Sequence, residues 1–148
     1  MSLNRAWIEA HIPHQGAMCL LDEVLDHGVG HVRCRSSTHR ALDNPLRSHG
    51  RLGIACGIEY AAQAMAIHGA LAHAERSEAG FLASVRDVRL GALRLDDIEA
   101  DLICRVTHVA GDALTAMYHF TVSGHHKVLL EGRAAVVLDA KRLTRTSD

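Results

Sequence analysis

The most apolar stretch of the chain, residues 52–74, contains a single formal charge, at Glu59. It is rich in Ala, Met, Ile and Leu, which favour a helix, and its apolar residues leave little polar surface on any face. Gln63, His68 and several glycines interrupt it, which is not typical of a membrane span. We therefore predict a helix that is buried on most sides. Because burying an unpaired charge is costly, Glu59 is expected to have a partner or a function there.

Segments on both sides of this helix alternate polar and apolar residues with the period of a β-strand. Ahead of it, residues 18–25 and 31–37 flank a turn at residues 26–30, which predicts a hairpin. After a polar loop at residues 75–80, residues 81–90 begin a series of antiparallel strands with turns at residues 110–112 and 123–126. The predicted inward positions of the last two strands are Leu114, Ala116, Tyr118, Phe120 and Val122, then Val128, Leu130, Ala134, Val136 and Leu138.

These elements predict an α+β fold in which an antiparallel sheet of about five or six strands wraps around one long central helix. The chain has 148 residues with no repeat or low-complexity linker, so residues 1–148 are predicted to form a single domain. Residues 1–11 and 140–148 are expected to be loosely ordered. Unpaired sheet edges favour pairing between subunits, so a dimer is expected.

Composition narrows the classes of function. A net charge of −1 and 3% aromatic residues provide neither a basic surface nor a stacking platform for nucleic acid. The first 16 residues mix charged and apolar positions and lack the apolar core of a signal peptide. We therefore expect a cytoplasmic protein with no nucleic-acid partner and no membrane span.

Cysteine and histidine offer little sign of a metal site. The four cysteines contain no CxxC pair, and the 12 histidines form no convincing set of three or four ligands. No metal is therefore expected, and most of the histidines are expected on the surface or in strands. A catalytic thiolate at Cys56, near the start of the helix, is an alternative.

Two segments resemble the hot-dog fold family of β-hydroxyacyl-acyl-carrier-protein dehydratases of fatty-acid synthesis. Residues 12–24, IPHQGAMCLLDEV, resemble the Pro-His…Leu-Leu-x-Asp-x-Val opening of the family. Residues 57–64, GIEYAAQA, resemble the Glu-x-x-Ala-Gln segment of its central helix, and residues 124–134 resemble its last hairpin. The form of the first two segments is also similar to a divergent subgroup encoded in aryl-polyene and related pigment pathways.

The resemblance implies a hot-dog fold and a dehydratase that works on 3-hydroxyacyl thioesters without a cofactor. Glu59 then takes the place of the catalytic carboxylate. Such an enzyme removes a C2 proton with a histidine and protonates the C3 hydroxyl with a carboxyl group. Backbone N–H groups near Gly53 and Gly57 would bind the thioester carbonyl.

Further contacts follow from the same resemblance. Gln63 is a candidate contact for the substrate, and the acyl chain would follow an apolar channel beside Ala62 and Met65. The implied partners are an acyl-carrier protein that bears the substrate on phosphopantetheine, and a second hot-dog chain in a homodimer or a heterodimer.

The chain departs from the family at the histidine. The family carries Gly-His-Phe-Pro-Gly 14 residues ahead of its carboxylate, where this chain has Pro45. His49 lies ten residues ahead of Glu59 and is the first candidate for the general base, and His14 is the alternative. Without either histidine, the chain would be a degenerate subunit that binds an acyl chain or completes a partner's site. An acyl thioesterase is a third hypothesis, because the same fold supports one.

Simpler structural explanations stand beside these hypotheses. Glu59 and Gln63 are one helical turn apart and are able to satisfy each other or an exposed backbone group. Asp22 is expected to cap a turn or to pair with an arginine. Three arginines are either solvated or face the carrier protein: Arg47, Arg51 and Arg94.

Overall fold

A computed structural model describes residues 3–72 and 80–137. It contains a seven-stranded antiparallel sheet in the order β1-β2-β3-β5-β6-β7-β4. The strands are β1 (Leu3–Asn4), β2 (Glu23–Gly28), β3 (His31–Ser36), β4 (Phe81–Leu90), β5 (Leu102–Gly111), β6 (Thr115–Gly124) and β7 (Lys127–Val137). The helices are α1 (Arg5–His11) and α2 (Gly57–Ala72), and short 3₁₀ turns occupy Gly16–Met18, Thr38–Arg40 and Ile54–Cys56.

This architecture confirms the α+β prediction of one long helix against an antiparallel sheet. The sheet has one strand more than predicted because the two residues of β1 pair with β2. Such a short strand has no alternation of its own from which the sequence could reveal it. The predicted tail at residues 140–148 lies outside the described residues, and within residues 3–11 β1 and α1 replace the loosely ordered segment that was expected.

Helix α2 packs against β3, β5 and β6, which supply the inward face of the sheet. Its side chains Tyr60, Ala61, Ala64 and Ile67 are fully buried. Leu102, Cys104 and Val106 of β5, which share one face, are also fully buried. The predicted burial of the apolar stretch is therefore confirmed for most of the helix.

The helix begins later than the apolar stretch because the residues ahead of it make other backbone bonds. Leu52 donates its N–H to Asp96 Oδ1 at 2.9 Å, and its carbonyl accepts the N–H of Leu95 at 2.7 Å. The 3₁₀ turn Ile54–Cys56 then leads into α2. Residues 73–74 of the predicted helix and residues 75–79 of the predicted loop lie outside the described residues.

The predicted hairpins are present, with two shifts. The β2–β3 hairpin is confirmed, but β2 runs on to Gly28, so its turn is shorter than predicted. In the β6–β7 turn, His125 and His126 both have positive φ angles, 52° and 60°, as a type I′ turn requires. A register shift beside this turn leaves Val128 44% exposed, and Leu114 is 37% exposed at the other end of β6. These two inward predictions are therefore wrong, and Leu138 lies outside the described residues.

The segment between α1 and β2 is held in place by Arg5. Its guanidinium bonds to Asp22 Oδ1 at 3.0 Å and to the carbonyl groups of Gly16 and Cys19. Asp22 also accepts the backbone N–H of Ser37 at 2.7 Å, so its expected pairing with an arginine is confirmed. These bonds determine the path of residues 12–22 across the start of α2.

Strand β4 lies at one edge of the sheet and is exposed along most of its length. Phe81 is 56% exposed and Leu90 is 60% exposed, which is high for large apolar side chains. Within residues 3–72 and 80–137, no helix is both long and apolar enough to cross a membrane.

Candidate active site

The structure brings Glu59 and His14 together at the start of α2. His14 Nε2 lies 3.3 Å from Glu59 Oε1. Glu59 occupies the first turn of the helix, where the helix dipole favours a negative charge. His14 follows α1 and Pro13 in the segment that Arg5 holds. The carboxylate therefore has a titratable partner within reach of proton transfer.

His14 and Glu59 are partly accessible, with side-chain exposures of 26% and 37%. Next to His14, the Gln15 side chain donates to the carbonyl groups of Ile12 and Glu9. Because Glu9 belongs to α1, this contact attaches the segment to that helix. Nδ1 of His14 is buried and has no hydrogen-bond partner among the described residues. A buried ring nitrogen without a partner costs free energy, and sites of this kind are often functional.

A cavity of about 490 Å³ extends from this pair along α2. The helix lines it with one stripe of residues: Glu59, Ala62, Met65, Ala66, Gly69 and Ala70. Phe81 and Leu82 of β4 form part of the opposite wall. Glu59 and Gly69 are ten residues apart, so the cavity follows the helix for about 15 Å. It is an apolar channel with an acid–base pair at one end, and it contains both channel residues expected from the sequence, Ala62 and Met65.

Tyr118 lines the cavity at the level of His68, far from Glu59. Its hydroxyl lies 2.8 Å from His68 Nδ1, and His68 Nε2 lies 2.9 Å from the carbonyl of Val29. Since that carbonyl can only accept, Nε2 carries the proton and the Tyr118 hydroxyl donates to Nδ1. Burial raises the pKa of Tyr118 to about 12.

The sequence offered no signal for this second polar pair. His68 was placed in the buried helix but given no partner, and it is 5% exposed in the core. Its spacing along α2 fits a buried face as well as a surface one. Tyr118 was assigned correctly to the inward face of β6, but alternation cannot distinguish a core ring from one that lines a cavity.

Gln63 does not pair with Glu59. Its side chain is fully buried, its Nε2 donates to the carbonyl of Met18 at 2.8 Å, and its Oε1 accepts the N–H of Leu20 at 2.9 Å. The two residues therefore do not satisfy each other, and Gln63 instead satisfies backbone groups, which was the other half of the simple explanation. The substrate contact of Gln63 stays a prediction, and its amide is occupied by the segment that carries His14.

Gly53 and Gly57, which precede Glu59 in the chain, differ in their surroundings. Gly57 is buried, and a Cβ atom added there would lie 2.7 Å from Leu130 Cδ2. Its N–H donates to the carbonyl groups of Ala55 and Ile54. Gly53 is exposed and precedes the 3₁₀ turn. Neither lines the cavity, and their contacts with a thioester carbonyl stay predictions.

His49 lies in a separate, exposed turn. Its φ angle is 53°, its Nδ1 is 3.1 Å from the Ser48 hydroxyl, and it does not line the cavity of its own chain. The arrangement thus favours His14 over His49 as the partner of Glu59. Burial raises the pKa of Cys56, which disfavours a thiolate there.

Other polar candidates are held by local bonds. Arg94 pairs with Asp96, and Arg47 donates to backbone carbonyl groups, including that of Ala41 at 2.8 Å. In the part of the chain that the structure describes, no three His, Cys, Asp or Glu side chains converge as a metal site.

Comparison with known proteins identifies the family of the chain. A family model described as ApeP dehydratase, of the ApeP-like group, matches residues 6–145. A chain of the dehydratase heterocomplex ApeI:P from Xenorhabdus doucetiae is 24% identical, with a TM-score of 0.80 over 95% of this chain and 97% of that chain. Among curated protein sequences, none gives a significant match.

More distant structures share the fold with lower identity. A mutant of the thioesterase PA1618 from Pseudomonas aeruginosa is 10% identical, with a TM-score of 0.65 over 93% of this chain and 94% of that chain. AziG from S. sahachiroi is also 10% identical, with a TM-score of 0.60 over 78% of this chain and 88% of that chain. These likenesses confirm the hot-dog fold.

Proposed function

Because the chain belongs to the ApeP-like dehydratase family, we propose that it dehydrates 3-hydroxyacyl thioesters with His14 and Glu59 as its acid–base pair. The observation that carries this proposal is the 3.3 Å contact between the two side chains at one end of an apolar cavity. Elimination of water next to a thioester needs one group that accepts a proton and another that donates one.

In this mechanism His14 accepts the C2 proton of the substrate. The electron pair of the C–H bond forms the C2–C3 double bond, and the C3–O bond breaks. Glu59, protonated at that moment, donates its proton to the leaving hydroxyl, which departs as water. The proton held by His14 can then pass to Glu59 across their direct contact, which restores the starting state without a cofactor.

The substrate is an acyl chain carried on the phosphopantetheine of an acyl-carrier protein, as in fatty-acid or polyene biosynthesis. The apolar walls along α2 would shield the chain from water, and the partly exposed His14 and Glu59 would leave room for the thioester. Backbone N–H groups near Gly53, ahead of α2, would bind the thioester carbonyl, as the family resemblance implies. We expect this reaction in the cytoplasm.

A second hot-dog subunit belongs to this proposal. Strand β4 presents an unpaired edge with exposed Phe81 and Leu90, which a second sheet edge would cover. The Xenorhabdus structure is a heterocomplex, which favours pairing with a related chain over pairing with itself. If the partner supplied all the chemistry, this chain would be the degenerate subunit instead.

Turnover assays on matched variants test the assignment. The chain is purified alone and co-expressed with a related hot-dog subunit, and 3-hydroxyacyl-pantetheine is followed by mass spectrometry for the enoyl product. We expect His14→Ala and Glu59→Gln each to lower kcat/KM by about 100-fold or more. His49→Ala serves as the comparison, because His49 lies outside the cavity.

Outcomes that differ from this expectation would indicate another general base or another function. Loss of activity in His49→Ala with retention in His14→Ala would make His49 the base, reached from a second subunit. Release of free thiol in place of enoyl product would indicate a thioesterase. Full activity of Glu59→Gln in the two-subunit complex would contradict the role of Glu59 and favour the degenerate subunit.

A further inference from the structure

We propose that Gly69 and Tyr118 set the length of the acyl chain that the cavity accepts, and that His68 positions Tyr118 for this purpose. This inference rests on the proposed acyl-thioester substrate and names the residues that select it. Both Gly69 and Tyr118 line the same cavity as His14 and Glu59. The reacting carbons lie at Glu59, so the far end of the chain points towards Gly69.

Gly69 leaves the cavity open where a side chain would obstruct it. A Cβ atom added at this position meets no atom within 4 Å beyond its chain neighbours and the backbone of α2 itself. Glycine inside a helix is less favourable than alanine, so helix stability does not account for it. By contrast, a Cβ atom added at Gly57 in the same helix would meet Leu130 at 2.7 Å. Gly57 is required by packing, whereas Gly69 borders empty space.

Tyr118 supplies a wall at a defined depth. Its ring is held at the hydroxyl by His68, and His68 is held in turn by the carbonyl of Val29 in the β2–β3 turn. The ring of His108 stacks on that of His68, with 5.4 Å between centroids. A ring held in this way has few alternative positions, so it limits the cavity more sharply than a free side chain would.

A partner subunit is the competing occupant of this groove, since Phe81 and Leu82 on its other wall belong to the exposed edge strand. The acid–base pair at one end of the cavity favours the acyl chain as the occupant, because a partner subunit packed in the groove would not need an acid–base pair beside it. The two occupants predict different effects of filling the space at Gly69: a changed substrate preference for the acyl chain, and a changed assembly for the partner.

The decisive experiment compares Gly69→Leu with Ala72→Leu, which adds the same side chain to an exposed position of α2 outside the cavity lining. Short-, medium- and long-chain 3-hydroxyacyl-pantetheines are assayed with the complete complex. We expect Gly69→Leu to lower the ratio of long-chain to short-chain kcat/KM by about tenfold or more, because a few methylene groups lose their space. Ala72→Leu should leave this ratio as in the wild type.

The positioning role of His68 is tested on the same substrates. Tyr118→Phe and His68→Leu both release the ring and should broaden the range of chain lengths towards longer chains. A loss of stability alone would lower all rates together and leave the ratio unchanged. The double variant should show no further broadening, because each single change already breaks the one hydrogen bond.

Binding measurements test the chain-length proposal independently of the proposed reaction. The affinities of unreactive acyl-pantetheine amides of the same lengths are measured by calorimetry, which needs no turnover. A chain-length dependence that shifts in Gly69→Leu supports the proposal even where dehydration fails. An unchanged chain-length dependence in a variant that still dehydrates its substrate would overturn the chain-length proposal and leave the proposed reaction standing. Loss of assembly in Gly69→Leu, measured by mass photometry, would also overturn the chain-length proposal.

Discussion

Glu59 and Gln63 are polar residues one turn apart on the same apolar helix, and the fold uses them in opposite ways. Gln63 is fully buried, and both ends of its amide are hydrogen-bonded to backbone groups. Glu59 is 37% exposed at the side chain and contacts an ionisable partner, His14. Gln63 joins the helix to the segment that carries His14, and Glu59 faces the cavity.

This difference divides α2 lengthwise. Its packed side, which contacts the sheet and residues 18–20, has hydrogen-bonded polar groups, so changes there should affect stability. Its cavity side is lined by small residues around open space, so changes there should affect activity and substrate choice. Stability and function are thus separable on one helix, and matched substitutions on the two sides test that separation.

The largest effect on stability is expected at Gln63. Gln63→Leu leaves the N–H of Leu20 without its partner in the core and the carbonyl of Met18 partly desolvated, which should lower the free energy of unfolding by about 2–4 kcal/mol. Glu59→Gln is the matched change on the cavity side and should stay within about 0.5 kcal/mol of the wild type. Urea denaturation measures both, and equal losses would contradict the division of the helix.

The next effect is expected at Gly57, on the packed side. Gly57→Ala places a methyl group against Leu130, and the displaced side chains should cost about 1–3 kcal/mol. The midpoint of urea denaturation should fall while the m-value stays constant. A variant as stable as the wild type would show that the core there adapts as readily as the cavity.

A smaller effect with a pH signature is expected at Asp96, which holds Leu52 ahead of the helix. The Arg94 guanidinium, with the Leu52 N–H, holds the pKa of Asp96 well below its usual range. Its stabilising contribution is therefore complete above the unfolded pKa and declines as the pH falls. Asp96→Asn should cost about 1 kcal/mol at neutral pH.

The pH dependence provides the control for that variant. The stability difference between wild type and Asp96→Asn should shrink progressively below about pH 4, where the unfolded carboxyl begins to protonate. Thermal unfolding at several pH values measures it. A difference that grows on acidification would mean that the carboxylate is not stabilised by these partners.

The smallest effect has the opposite sign. Gly69→Ala fills open space and removes backbone freedom from the unfolded chain, so it should raise the free energy of unfolding by about 0.5–1 kcal/mol. A loss of stability at this position would show that the cavity side is as tightly packed as the packed side of α2.

Much of the fold follows from local pattern. The apolar stretch around Glu59 predicts α2, and two-residue alternation predicts β3 to β7, because each element must turn one set of side chains towards the core. Bulges and very short strands escape this pattern: the register shift after Val128 and the two residues of β1 depend on pairing with other strands.

The candidate site shows where local information ends. The sequence marks Glu59, since a lone charge in an apolar helix is visible without coordinates. It cannot choose between His14 and His49, because that choice depends on the path that Arg5 and Asp22 impose on residues 12–22. The pairing of His68 with Tyr118 likewise joins positions 50 residues apart in the sequence. Local pattern determines which residues face inward, and only the tertiary structure decides which of them meet, because contacts between distant segments depend on how the whole chain packs.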